Sequence, residues 1–412
     1  MAGRSSGILV VMAAMSLPAR GADWPQWRGP GRDSVWREQG LPDRFPADGL
    51  SKRWQQPIGG GYAGIAVAAG RVYTMDRQTE PREVERVLCF NARTGKRIWI
   101  QEYPVSYGKM QYGNGPRSTP TVDASRVFTF GAVGHLSCFD AQSGKIIWRK
   151  DTVKECKGQV PMWGHACSPL VDGERLIVQL GAEDGCVMAF NKANGKETWR
   201  TLSDRPGYSS PIMITVGQRR VLVYWTPEHV AGLDPVSGKV LWQIPFNSTY
   251  DVSISDPVWH GGVLLVSGYW EGSKAIRLNE RGEQPEVLWE GKKLSLLMST
   301  PLYRDGYVYG LDNKNGLKCV ELQTGAVKWD GQHVTPKSRN PQASLVWAGD
   351  RALIFNELGQ LLMAQLSPDG YREVSKTGIL PGGTWANPAF ADGCIFARDD
   401  VKIVCVPLVR KR

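Results

Sequence analysis

The sequence has few histidines and lacks several short catalytic motifs. Only 5 of its 412 residues are histidine. It contains no Gly-x-Ser-x-Gly, no His-Glu-x-x-His and no phosphate-binding loop. It also contains no Cys-x-x-Cys-His, the motif that attaches haem covalently. The sequence signals for a serine hydrolase, a zinc protease, a P-loop enzyme and a cytochrome are therefore missing, and loop carboxylates and aromatic rings remain as candidate functional groups.

Long apolar and long basic segments are missing as well. No run approaches the roughly 20 apolar residues that a helix needs to span a bilayer, so no transmembrane segment is predicted. The formal charge of +10 is scattered along the chain, and its one basic block is the terminal Arg410-Lys411-Arg412. This favours an ordinary solvated surface over a nucleic-acid interface.

The first residues have the pattern of a secretory leader. Arg4 precedes a short apolar run, Ile8–Leu17, and small residues follow that run. We therefore predict a signal peptide at residues 1–21, cleaved near Gly21 or Ala22. The mature chain is then expected in the periplasm or outside the cell.

Eight cysteines in a chain predicted to be exported raise the question of disulfides. Four of them share one place on short apolar segments and are predicted to be small buried core residues: Cys89, Cys138, Cys319 and Cys405. Cys156 and Cys167 flank the loop CKGQVPMWGHAC, and a bridge or two free thiols both remain open. A metal site made from these two and His165 would lack a fourth ligand.

A short word rich in glycine and tryptophan recurs along the chain. It runs from Cys138 to Trp148 as CFDAQSGKIIW, and four similar words lie at Cys89–Trp99, Ala189–Trp199, Gly232–Trp242 and Cys319–Trp329. In most copies Asn or Asp opens a turn, and in all of them glycine takes a left-handed position. Tryptophan follows four residues later, where we expect it to pack between neighbouring sheets. These expected blade-docking residues are Trp54, Trp99, Trp148, Trp199, Trp242, Trp289 and Trp329.

The spacing of the word predicts a propeller. The tryptophans recur roughly every 40 to 50 residues, and most intervals contain a Ser/Thr/Asp-Pro start and four short strands. One weak unit closes on Val374, and the last unit has three strands. Its fourth strand is predicted near the other terminus, around Trp54. The fold class is therefore all-β, an eight-bladed propeller of four-stranded antiparallel blades closed by the N-terminal strand. The predicted parts are an extension at 22–50, the propeller at 51–408 and a basic tail at 409–412.

The repeated word resembles that of the quinoprotein, or pyrroloquinoline quinone (PQQ), repeat family of eight-bladed propellers. The opening DWPQWRGPGRDSVWREQGLP and the later GGGYAGIAVAAGRVYTMD look like the start of exported bacterial PQQ-like repeat proteins. The resemblance covers Asp23 to about Leu408. The family includes dehydrogenases that bind PQQ and calcium at one mouth of the ring. It also includes the outer-membrane protein assembly lipoprotein, which uses the propeller as a scaffold without a cofactor.

The sequence departs from the pattern of the dehydrogenases. The alcohol-oxidising members carry a disulfide between adjacent cysteines, and this chain has no Cys-Cys. Their calcium ligands and aspartate base lie on long insertions and cannot be matched here residue by residue. We therefore expect no cofactor, with PQQ and calcium as the alternative.

Candidate binding residues lie on the loops that would surround one mouth of the ring. The predicted partner-binding residues are Tyr62, Arg117, His165, Tyr208, Glu228, His229, Glu271, Asp312 and Asn387. Trp163, Trp270 and Trp385 are candidates to stack on a quinone, a sugar or a peptide ring, or else to pack between loops. The adjacent acids Glu183, Asp184, Asp399 and Asp400 are candidates for calcium, with solvated turns as the alternative. No catalytic residue is assigned.

These observations predict a non-catalytic scaffold of the cell envelope. A monomeric propeller would present its mouth to an envelope protein or a glycan, without contacting nucleic acid. Two alternatives stay open: a PQQ- and calcium-dependent dehydrogenase of alcohols or sugars, and a carbohydrate-active enzyme with two mouth carboxylates.

Overall fold

The computed structural model describes residues 22–314, 316–338 and 340–409. The predicted signal peptide and residues 410–412 of the predicted basic tail lie outside the described residues. No helix in the described part of the chain has the length and the apolar character to cross a membrane.

Short strands make up nearly all of the regular structure. The first half of the chain contains β1 (Val35–Trp36), β2 (Trp54–Pro57), β3 (Ala66–Ala68), β4 (Arg71–Gln78), β5 (Val84–Asn91), β6 (Arg97–Pro104), β7 (Thr121–Asp123), β8 (Arg126–Phe130), β9 (His135–Asp140), β10 (Ile146–Asp151), β11 (Leu170–Asp172), β12 (Arg175–Ala182), β13 (Gly185–Asn191), β14 (Glu197–Thr201), β15 (Ile212–Val216), β16 (Arg219–Trp225), β17 (His229–Leu233) and β18 (Val240–Pro245). One short helix, α1 (Thr152–Cys156), and one 3₁₀ turn (Thr249–Asp251) accompany the strands.

The second half continues the same pattern. It contains β19 (Val258–His260), β20 (Val263–Gly268), β21 (Gly272–Arg277), β22 (Glu286–Gly291), β23 (Leu302–Arg304), β24 (Tyr307–Asp312), β25 (Gly316–Glu321), β26 (Val327–Gln332), β27 (Ala343–Ala348), β28 (Arg351–Asn356), β29 (Gln360–Ser367), β30 (Gly370–Gly378), β31 (Ala389–Ala391), β32 (Cys394–Arg398) and β33 (Lys402–Pro407).

The strands form eight sheets, which are the blades of a propeller, and apart from the parallel strand β1 in blade seven their strands are antiparallel. Blades one to seven each take four consecutive strands, starting with β3 to β6 and ending with β27 to β30. Blade eight joins β31, β32 and β33 to the N-terminal strand β2, with Trp54 opposite Cys405. The predicted fold class and blade number are confirmed. Because β2 completes the last blade, no blade of the ring is left with only three strands.

Seven of the eight blades are fastened to the next by one tryptophan on the outermost strand. Trp99 packs on the turn of the second blade, where its Nε1 donates to the carbonyl of Ala141 at 3.1 Å. Gly144 of that turn has a φ of +74°, and a Cβ there would lie 2.6 Å from the Trp99 ring. Glycine is therefore required for its backbone and for the space that it leaves. The corresponding indole-to-carbonyl pairs are Trp54–Ala92, Trp148–Lys192, Trp199–Pro235, Trp242–Gly282, Trp289–Leu322 and Trp329–Ser367.

The joint after blade seven is different. Val374 replaces the tryptophan there, and it is 7% exposed. It belongs to a hydrophobic cluster that runs from blade seven through blade eight to blade one. Trp54 of blade eight is part of the same cluster. The ring therefore closes through one extended core as well as through the shared blade.

The chain ahead of β2 enters the centre of the ring. We call residues 23–36 the plug. In most blades, the plug contacts either the innermost strand or the loop that leads into that strand. The contacts are Trp24 with Val67, the Pro25 carbonyl with Val122, the Arg32 guanidinium with the carbonyls of Pro169 and Pro211, Trp27 with Asp256, and β1 in parallel with β27. Only a segment inside the central channel can reach so many blades at once. Trp24 and Trp36 are 3% and 1% exposed, so the plug also extends the hydrophobic core.

Candidate functional site

A cavity of about 420 Å³ opens at the mouth of the ring. Loops from all eight blades line it, because the loop that enters each first strand ends at the channel. One lining residue from each of these loops, in order from blade one, is Tyr62, Arg117, Trp163, Tyr208, Asp256, Met298, Gln342 and Trp385. We call this cavity the mouth cup.

Aromatic side chains form the wall of the mouth cup. Trp385 lies between Tyr62 and Tyr112, with ring centroids 5.7 Å from each. Tyr112 is followed by Trp163 at 6.3 Å, and Trp163 by Tyr208 at 5.5 Å. These five rings come from the loops that enter five different blades, so no single stretch of sequence encodes the wall.

A second aromatic group lies on another side of the cup. Trp270 packs edge-on against Tyr269 and Tyr250, at 4.6 Å and 5.5 Å between ring centroids. Tyr250 is 67% exposed and projects from the rim. All three tryptophans proposed from the sequence as stacking residues therefore line the same cavity.

The plug provides part of the lining of the mouth cup. Trp27 lines the cavity, and its Nε1 donates to Asp256. Asp256 also accepts from the backbone N–H of Ser210 at 2.7 Å, and it lies 4.0 Å from the Arg28 guanidinium. Burial raises the pKa of the Asp256 carboxyl, and Arg28 opposes that shift.

A second cavity of about 250 Å³ is lined by other residues of the plug, Arg28 and Arg32 among them. Arg28 and Arg32 do not line the mouth cup, so the plug separates the two cavities.

Hydrogen bonds between blades hold the loops around the cup. The backbone N–H of Thr119 donates to Ser168 Oγ, and that of Ser168 donates to Ser210 Oγ, both at 3.0 Å. The Ser210 N–H donates to Asp256, whose own N–H donates to Thr300 Oγ1 at 3.2 Å. We call these five residues the collar. The sequence shows them as the Ser/Thr/Asp-Pro starts of the strands, but their bonding from blade to blade is visible only in the structure.

Four of the predicted partner-binding residues line the mouth cup: Tyr62, Arg117, Tyr208 and Asn387. Arg117 is held by backbone carbonyls, with NH1 2.7 Å from Gly115 O and NH2 2.6 Å from Tyr112 O. Its guanidinium lies over the Tyr62 ring, 5.4 Å from the centroid.

The predicted acidic residues of the middle loops do not line the cup. Glu228 pairs with Arg205 at 3.0 Å, and Glu271 accepts from the backbone N–H of Thr249 at 2.7 Å. Asp312 is 4% exposed and pairs with Lys318 at 3.2 Å. These acids are engaged in contacts within their own loops and blades, so a partner would meet them at the edge of the mouth or not at all.

The two predicted mouth histidines differ in exposure. His229 is partly exposed, and its Nδ1 lies 2.9 Å from Asp204 Oδ2. His165 is 1% exposed and packs on Phe130, with ring centroids 4.4 Å apart. Burial lowers the pKa of His165 to about 3. This corrects the placement of His165 on an accessible surface: its ring is neutral and packed beneath the mouth, where a partner cannot reach it.

The acid pairs considered for calcium do not converge. Asp184, on blade three, is exposed and pairs with Arg200 at 2.8 Å, next to the exposed Glu183. On blade eight, Asp399 accepts from two backbone N–H groups of its own turn. Asp400 accepts from the N–H of Gly61 at 3.0 Å.

The donor set of the mouth cup does not fit calcium with a quinone. Calcium takes six to eight oxygen ligands, usually with several carboxylates among them. The cup has one carboxylate among its described lining residues, Asp256, and its oxygens already accept from Trp27 and Ser210. Three potential ligand atoms lie within 4.8 Å of one another in Asp204, Glu228 and His229, but Arg205 and Thr226 already bond to this group.

All eight cysteines are buried, and Cys156 and Cys167 are free thiols in the described structure. Cys156 lies in the core between blades two and three, and Cys167 in the core between blades three and four. The structure therefore has two separate thiols where the sequence left a bridge open. Cys89, Cys138, Cys319 and Cys405 are each 0% exposed, as expected for core residues.

Comparison with known proteins places the fold in a family. Residues 83–331, more than half of the chain, match the family described as outer membrane protein assembly factor BamB. The chain belongs to this family. The assembly factor BamB of Yersinia pestis is 24% identical over 224 residues, which cover 51% of this chain and 55% of that protein. The BamB of Shewanella oneidensis is 25% identical over 230 residues, covering 52% and 56%. The chain thus spans about half the length of these curated relatives.

Solved structures extend the likeness of the fold to both branches of the PQQ-like propellers. BamB from Moraxella catarrhalis superposes with a TM-score of 0.61 at 14% identity, covering 87% of this chain and 99% of that one. A quinohemoprotein alcohol dehydrogenase from Comamonas testosteroni gives 0.65 at 14% identity, covering 95% and 81%. At such identities the likeness shows the fold alone. BamB-family membership therefore rests on the sequence match, and function has to be argued from the site.

Proposed function

We propose that this BamB-family chain is a non-catalytic binding scaffold of the cell envelope that presents the rim of the mouth cup to a protein partner. The observation that carries the proposal is the aromatic cup itself, to which every blade contributes. Family membership and the similar assembly factors support a partner in outer membrane assembly and a location in the periplasm. The mechanism is display by a monomeric ring that is itself unchanged by binding.

The rim has the composition of a binding surface. Tyr112, Met162 and Tyr250 are 45%, 57% and 67% exposed. Large apolar side chains in such positions are unfavourable in water and are typical of the centre of an interface, where aromatic residues and methionine are enriched. We therefore expect Tyr112 and Tyr250 to contribute most to partner binding.

Hydrogen bonds also restrain the loops that form the rim. The collar and the Arg117 contacts fix the loops at their bases. A preordered surface loses little conformational entropy on binding, so more of the contact energy appears as affinity. This suits a scaffold, whose task is to hold a partner.

Substitution of rim residues tests the proposal. Tyr112→Ser and Tyr250→Ser would be combined in the tagged full-length protein and compared with Val236→Ser combined with Val327→Ser. Val236 and Val327 are similarly exposed, at 60% and 44%. Val236 lies on a turn at the opposite end of the ring, and Val327 lies on the outermost strand of its blade. After chemical cross-linking in cells, the yield of specific adducts should be at least about tenfold lower for the rim variant than for the wild type. The control variant should give the wild-type yield. Equal adducts from both variants would contradict the proposal.

The two enzymatic alternatives find less support in the geometry. A dehydrogenase needs calcium with several oxygen ligands, and few free ones are present among the described lining residues of the cup. A glycosidase needs two carboxyl groups roughly 5–10 Å apart across a cleft, and the described lining of the cup holds one, Asp256. A titration of the purified protein with PQQ and Ca²⁺, followed by thermal unfolding, tests the first alternative, since ligand binding would raise the melting temperature.

A further inference from the structure

Gln342 carries an unpartnered acceptor in the mouth cup. The residue is 4% exposed and lines the cavity. Its Oε1 has no hydrogen-bond partner among the described residues, and its Nε2 makes one long contact of 3.4 Å with Trp385 O. A buried acceptor is costly unless a donor meets it. Gln342 therefore indicates that the cup receives a ligand with a hydroxyl or N–H group.

Arg117, on the loop that enters blade two, also lines the cup, and no carboxylate pairs with it among the described residues. Backbone carbonyls and the Tyr62 ring are its neighbours. Tyr62 contacts Trp385, whose carbonyl is the Gln342 contact, so a chain of neighbouring side chains connects the two polar groups around the cup. A guanidinium fixed in this way favours a carboxylate ligand.

The wall between these groups is aromatic and curved. The ring planes of Tyr62 and Trp385 meet at 31°, those of Tyr112 and Trp385 at 41°, and those of Tyr112 and Trp163 at 76°. Exposed aromatic faces of this kind pack against the C–H groups of a sugar ring. The neutral amides of Gln111 and Asn387 add hydrogen-bonding groups to the same cavity.

We propose that the mouth cup binds a sugar ring that carries one carboxylate, of the uronic-acid type. The carboxylate pairs with Arg117, a hydroxyl donates to Gln342 Oε1, and the C–H face of the ring packs on the aromatic wall. This inference rests on the proposed function of the mouth as the binding face and assigns a ligand class to its cavity, while a protein partner meets the rim.

Ligand-observed saturation-transfer NMR tests the inference with the full-length mature protein and D-glucuronate as the probe. Glucose tests the need for the carboxylate, and benzoate tests a flat acid. We expect saturable binding of glucuronate, and at least about tenfold weaker binding of glucose and of benzoate. Benzoate binding as tightly as glucuronate would overturn the sugar assignment, and absence of glucuronate binding would overturn the whole inference.

Two variants locate the site. Arg117→Gln should weaken glucuronate binding at least about tenfold, and Gln342→Leu about fivefold, since each removes one polar contact. Gln342→Leu also removes the unsatisfied acceptor, so its melting temperature should not fall, which separates lost binding from lost folding. Arg93→Gln, on an exposed turn at the opposite end of the ring, is the control and should bind like the wild type. Unchanged binding by both cup variants would overturn the assignment.

The sugar titration and the rim test fail independently. Loss of partner adducts in the rim variant without any glucuronate binding would refute the sugar inference alone. Glucuronate binding that depends on Arg117, with partner adducts unaffected by Tyr112 and Tyr250, would uphold the inference and refute the protein partner at the rim.

Discussion

The blade joints and the mouth cup both depend on tryptophan, but they use it in opposite ways. At a joint such as Trp199 the ring is 7% exposed, bonds to a carbonyl of the next blade and covers a glycine. At the mouth, Trp163, Trp270 and Trp385 come from loops of different length and meet different aromatic neighbours. The joints repeat because each blade must meet its neighbour in the same geometry. The mouth tryptophans share no such constraint, and their variety is what shapes a particular cavity.

The largest expected effect separates the two kinds of tryptophan by stability. Trp199→Ala should lower the free energy of unfolding by about 3–5 kcal/mol, because it leaves a cavity in a packed joint. Trp385→Ala, at the partly exposed wall of the cup, should cost about 1 kcal/mol or less. Urea unfolding of the two variants measures both values. A loss of stability in Trp385→Ala as large as that in Trp199→Ala would erase the distinction.

The pH dependence of stability tests the packing beneath the mouth. Burial holds the pKa of His165 at about 3, against 6.5 in the unfolded chain. Below pH 6.5 the unfolded state binds a proton that the folded state does not, so His165 makes stability fall by about 1.4 kcal/mol per pH unit as the pH decreases toward about 3. Above pH 6.5 the residue makes no pH-dependent contribution. The difference in unfolding free energy between wild type and His165→Gln should thus change by about 3 kcal/mol between pH 6.5 and pH 4. A constant difference would show that His165 is accessible to solvent.

A smaller effect isolates the contact between glycine and tryptophan in a joint. Gly144 and Gly70 both have a φ of +74°, but a Cβ at Gly144 would lie 2.6 Å from Trp99, and one at Gly70 would meet nothing within 4 Å. Gly70→Ala should cost about 1 kcal/mol through backbone strain alone. Gly144→Ala should cost about 2 kcal/mol or more, because the Trp99 ring must also move. Equal costs, measured by thermal unfolding, would mean that the joint tolerates the extra methyl group.

The parts that the sequence predicts are those that local chemistry determines. Asp140 opens its turn by accepting from the backbone N–H of Ser143 at 2.7 Å, and Gly144 follows with positive φ, as expected from the word alone. The closing strand at Trp54 was also predictable, because the last unit lacks one strand and Trp54 has the right surroundings. Fold class and blade number follow from these local rules.

The parts that the sequence leaves open depend on contacts between distant residues. The plug has no strand or helix periodicity, and Trp27 meets Asp256 across 229 residues. The burial of His165 depends on Phe130 of another blade. The cup wall includes Tyr112, whose loop gives no local sign of where its ring points. Loop residues can be assigned to the mouth from the register of the repeat, but their exposure and their mutual contacts require the folded ring.

Photo-cross-linking from the rim tests the central claim, that the mouth is the binding face and the repeated joints are architecture. A photoreactive amino acid at position 250, on the rim, would be compared in the same cells with one at position 236, on an exposed turn at the opposite end of the ring. We predict specific adducts from position 250 and none above background from position 236. Adducts of equal yield at both positions, or adducts from position 236 alone, would contradict the account.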